Sequence, residues 1–87
     1  MDRKDVLNTV SDERDYQEEM LSQGRPDMRE DLQLGSVIAA MEHNLAEARA
    51  AWYKGSGNNP EAMDYIRKVS ALGVQAGESF GMPVRKR

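Results

Sequence analysis

The stretch LGSVIAAMEHNLAEARAAWYK, residues 34–54, decides the fold. Leu34, Ile38, Met41, Leu45, Ala48 and Trp52 recur at spacings of four and three. This period, held from residue 34 to residue 52, marks an amphipathic helix with a bundle-type seam. The predicted helix runs from about Asp31 to Lys54, with Trp52 continuing its core side. Gly55-Ser56-Gly57-Asn58-Asn59 then breaks it.

On the C-terminal side, Asn59-Pro60 reads as a cap followed by a proline in the first helical position. The inner face of this next helix holds Ala62, Tyr65, Ile66, Val69, Leu72, Gly73, Ala76 and Phe80. Gly81 suits the left-handed position that closes a helix, and Pro83 prevents resumption. The short link predicts that these two helices form an antiparallel hairpin. On the N-terminal side, Asp2 to about Met20 is helical in pattern, with Asp2 and Asp5 placed for an N-terminus. Its apolar stripe is thin: Val6, Val10, Met20 and Leu21, with Gln17 on the same line. Such a helix needs a partner surface to persist. Residues 22–30 read as a loop punctuated by Gly24 and Pro26, after which Asp27 or Asp31 can cap. The expectation is an all-α single domain over 1–87. It comprises an N-terminal helix and loop (1–30), a helical hairpin (31–81) and a basic tail (82–87), with no strand.

An 87-residue chain with a single core rarely supplies more than about 3–5 kcal/mol without a staple. There is no cysteine, so neither a disulfide nor a cysteine nucleophile is available, and one His cannot build a zinc site alone. Oligomerisation is the staple that remains, so a homo-oligomer, dimer or tetramer, is expected. No apolar run approaches a membrane span and the N-terminus lacks a signal-type apolar core, which makes a cytoplasmic protein without a membrane partner the expectation. Acids outnumber bases over residues 1–31, and bases outnumber acids over 32–87. That asymmetry predicts attraction between unlike surfaces or a localised anion site in the second half. The acidic first helix and the lack of a basic recognition helix argue against DNA binding.

Gly73 and Gly77 interrupt the third helix, each at a cost of about 0.5–1 kcal/mol relative to Ala. Gly73 lies on the inner stripe, where a close contact opposite Met41 is expected. Gly77 lies off it, with room for a neighbouring subunit or a flat ligand. Glu61 and Asp64 form an ExxD pair able to share a hard cation such as magnesium. Glu42 and Glu47 diverge by about 140° around their helix and make a poor metal pair. Arg67 and Lys68 are read as outward on the third helix, with Arg49 beside Tyr53 and Arg14 beside Tyr16. Arg suits bidentate recognition of phosphates, and Tyr offers a stacking face and a hydroxyl. Arg85, Lys86 and Arg87 read as a mobile end or a lid on an anion. Serine has no His or acid spaced to activate it, so no catalytic residue is assigned.

ERDYQ at 13–17, AWYK at 51–54, and IRKVSAL at 66–72 followed by ESFGMPVRKR resemble small phage proteins of the MazG-like type. The resemblance implies an all-α, oligomeric nucleotide pyrophosphohydrolase-like fold, with magnesium held by ExxE on one helix and ExxD on the next. Glu61 and Asp64 match the second motif. The first is missing, because Glu42 has Ala39 and Leu45 as its three-residue neighbours. The expected function is therefore sequestration of a nucleotide, of the cyclic or ADP-ribose type used as a host immune signal, without hydrolysis and without a cofactor. Arg14, Arg49, Arg67 and Lys68 would contact phosphates. Tyr16 and Tyr53 would stack, and Gln17 and Glu42 would read the base edge. The alternatives are a magnesium-dependent pyrophosphohydrolase, its acids completed across subunits, and a protein-binding inhibitor of a host factor that uses the acidic first helix.

Overall fold

A computed structural model describes residues 1–24, 33–55, 57 and 59–86. The described residues form three helices and no strand: α1 over Arg3–Gly24, α2 over Leu34–Lys54 and α3 over Asn59–Phe80. Helix α1 continues to Gly24, past the expected end near Met20, so residues 22–24 of the expected loop are helical and the rest of it lies outside the described residues. The caps proposed at Asp27 and Asp31 lie outside the described residues. Gln33 stands at the N-cap of α2 in extended conformation, without a side-chain bond. At the other end of the chain, Gly81 has φ +84°, and its N–H donates to the Gly77 carbonyl at 2.9 Å. This is the left-handed closure that the sequence predicts. In α1, the Asp5 N–H donates to Asp2 Oδ1 at 2.8 Å, so Asp2 caps as expected.

Helix α3 is central. It packs along α2 and, on another side, against α1, while α1 and α2 do not approach each other among the described residues. The buried apolar residues are Val37, Ala48, Ala51, Ala62 and Ala71. Four of the five are alanine, so α2 and α3 sit close and little bulky side chain is enclosed.

That packing corrects the expected seam. The side of α2 facing α3 is Val37, Ala48 and Ala51, while Leu34, Ile38, Leu45 and Trp52 are each 45–48% exposed. The small residues permit close approach, which turns the bulky stripe roughly a quarter turn away from α3, at 100° per residue. Trp52 is accordingly at the surface, edge-on to Tyr53 with ring centroids 5.0 Å apart. Gly73 does face Met41, but a Cβ there would lie 3.9 Å from Met41 Cε, an ordinary contact. Gly77 is not left open for a subunit or ligand, because Met82 of the chain's own tail folds over it. A Cβ at Gly77 would lie 3.1 Å from Met82 Cε.

The α1–α3 contact is built on charge. Arg67 Nε donates to Glu13 Oε1 at 2.7 Å, and Arg67 Nη2 lies 2.6 Å from Asp64 Oδ1. Arg14 bridges Glu18 on its own helix at 2.7 Å and Glu78 on α3 at 2.6 Å. Arg67 is thus turned towards α1 rather than outward, since an acidic helix with a thin apolar stripe docks by offering carboxylates. The charge asymmetry of the sequence is partly answered inside one chain.

Candidate functional site

Because α1 and α2 meet only through α3, a cleft of about 440 Å³ opens between them. Its α1 wall carries Tyr16, Gln17, Met20 and Leu21. The α2 wall carries Val37, Ala40 and Asn44, and Leu72, Gln75 and Lys68 of α3 form the floor. The walls are largely apolar, and the polar residues among them are the carboxamides Gln17, Asn44 and Gln75 together with Glu13, Tyr16, Ser36 and Lys68.

Gln75 is the telling residue. It is only 9% exposed, it lines this cleft, and it forms no hydrogen bond with another described residue. Gln17 faces the same space. Its Nε2 donates to the Lys68 carbonyl at 3.4 Å, and its Oε1 is buried with no partner among the described residues. Asn44 spends its Nδ2 on the Ala40 carbonyl of its own helix at 2.9 Å. A cleft with apolar walls and amide groups left to pair suits a flat molecule with donors and acceptors on its edge.

The sequence-predicted residues divide among several places. Tyr16, Gln17 and Lys68 line this cleft. Lys68 Nζ lies 3.7 Å from Asp64 Oδ2 and 4.8 Å from the centroid of Tyr65. Arg14 and Arg67 hold α1 to α3 through the ion pairs above. Arg49 and Tyr53 line a second, open cleft of about 660 Å³ with Leu45, Trp52 and Met63. Glu42 is exposed on α2 and lines none of these spaces. The eight residues are therefore not gathered in one cleft of a single chain. Sequence reading missed Asn44 and Gln75. The available signal was the polar Gln75 inside the apolar run ALGVQAG.

Of the candidate metal acids, Glu61 is exposed in the first turn of α3. Asp64 is bound to Arg67 and Lys68. The hydrogen bond from Arg67 holds the Asp64 carboxyl below its ordinary range. Partial burial opposes this, and the charges of Arg67 and Lys68 add to the lowering. The Arg67 guanidinium is raised in turn by its bonds to Glu13 and Asp64. Among the described residues, no three His, Cys, Asp or Glu side chains converge as a metal site. No described helix is long and apolar enough to cross a membrane. Compared with known protein families, curated proteins and solved structures, the chain matches none.

Proposed function

We propose that this chain binds a nucleotide in the cleft between α1 and α2 and sequesters it without hydrolysing it, as an oligomer of helical hairpins. The observation that carries the reading is Gln75, a carboxamide at the floor of a largely apolar cleft that makes no hydrogen bond to another described residue. Gln17 supplies a second unpaired amide atom, and the ring of Tyr16 offers a face for the base. Lys68 stands at the cleft with its ammonium 3.7 Å from Asp64 Oδ2, where a phosphate would compete with that carboxylate. A space of about 440 Å³ falls within the roughly 300–1,000 Å³ of small-molecule sites. Retention rather than turnover is favoured because both Asp64 oxygens are committed to cations. The resemblance to small phage MazG-like proteins gives the reading its biological form, capture of a nucleotide signal in a host cytoplasm.

The test is isothermal titration of the purified chain against linear and cyclic nucleotides. Binding with Kd below about 100 μM, roughly −5.5 kcal/mol, is expected for at least one. In Gln75→Leu that affinity falls at least tenfold while thermal stability holds, since the Gln75 amide makes no hydrogen bond to another described residue that the substitution would break. No nucleotide binding, or full affinity retained in Gln75→Leu, refutes the reading.

A further inference from the structure

Helix α2 carries two apolar sides. Val37, Ala48 and Ala51 are covered by α3. The stripe of Leu34, Ile38, Leu45 and Trp52 is half exposed and lies roughly a quarter turn away, and none of the four lines the ligand cleft. Along its outer flank stand Glu42 and Arg49, and neither forms an ion pair among the described residues. The two are seven residues apart, two turns on one face, with Leu45 three residues from one and four from the other.

The geometry points to this stripe as the contact with a second copy of the chain, its α2 antiparallel across a two-fold axis through Leu45. The inference rests on the reading that the chain works as an oligomer, and it says which face is used and in what register. Two observations select a second copy as the occupant. The stripe is symmetric in sequence about Leu45, for Ile38 and Trp52 lie seven residues to either side. A two-fold axis there sets Ile38 against the partner's Trp52, and Leu45 against its own copy. The charges are self-complementary: the same axis brings Glu42 within one residue, about 1.5 Å of helix rise, of the partner's Arg49, and the reverse, so the pair forms twice, as an isologous contact requires. The Trp52, Tyr53 and Arg49 cluster at the end of the stripe supplies the residue types that dominate contact energies.

The absence of cysteine makes a direct test possible. Leu45→Cys is expected to cross-link to its own copy on mild oxidation, because two residues on an antiparallel axis meet within disulfide reach. Ala50→Cys, on the outer side of α2, is the control and should not. Light scattering after gel filtration at 100 μM on a charge-swap set gives a second reading, with helicity checked by circular dichroism. Glu42→Arg and Arg49→Glu singly should shift the chain at least tenfold towards monomer, and the double variant should restore association. An oligomer that survives both single swaps and leaves Leu45→Cys uncross-linked overturns this interface but leaves the oligomeric reading standing. A wild-type chain that is monomeric at 100 μM overturns both. Nucleotide binding is measured independently and bears on neither result.

Discussion

Replacing Gly73 by Ala tests the packing of α3 against α2 more directly than any truncation. A glycine within a helix costs about 0.8–1 kcal/mol relative to alanine. Whether alanine recovers that sum depends on what its methyl meets. At Gly73 the nearest atom to an added Cβ is Met41 Cε at 3.9 Å, ordinary van der Waals contact at the end of a flexible side chain. No strain is introduced, and the methyl gains a neighbour. The expected effect of Gly73→Ala is stabilisation by about 1 kcal/mol, which for a domain of this size raises Tm by roughly 4–8 °C. Thermal and urea unfolding followed by circular dichroism measures it. Protein concentration must be equal for both chains, because self-association shifts apparent stability by mass action. A decrease in Tm would show that α2 and α3 lie closer than the 3.9 Å clearance allows, and the arrangement of the central helix would have to be abandoned.

Three further outcomes follow from named contacts. Gly81→Ala should destabilise by about 1 kcal/mol, because φ at this position is +84° and a Cβ is unfavourable there; urea midpoints check it, and an unchanged midpoint refutes it. In Gly77→Ala the added Cβ lies 3.1 Å from Met82 Cε. Met82 must therefore shift, and the gain in Tm should be smaller than at Gly73; an equal gain would mean that Met82 does not cover the helix end. The folded-state pKa of Asp64 is lowered by Arg67, so its contribution to stability is present above the ordinary carboxylate range and is lost as pH falls through the lowered value. Stability profiles from pH 7 to pH 2 should therefore fall less steeply in Arg67→Met than in the wild type, and parallel profiles would remove the ion pair from the account.

The helices were legible because their signals are local. The four-and-three spacing of α2, the Asn-Pro start of α3 and the Gly81 stop each act within a turn or two. Which way the helices face was less legible. Periodicity marks an apolar arc but does not say which part of a wide arc a neighbour covers. On α2 the alanines took the buried side and Leu45 and Trp52 the exposed one. Arg67 was read as outward because guanidinium groups usually are. Its real direction depends on Glu13, fifty-four residues away. Gln75 escaped notice for a related reason: a helix with one partner has one buried side, and α3 has two.

The wall that α1 gives the cleft leans on Arg67–Glu13 and Arg14–Glu78, pairs of the kind that dissolved salt weakens. Ionic strength thus acts on this molecule twice, once on any phosphate near Lys68 and once on the position of Tyr16 and Gln17. A fall in ligand affinity with added salt cannot by itself count phosphate contacts here. An uncharged nucleoside, which has no phosphate to screen, would isolate the movement of the wall.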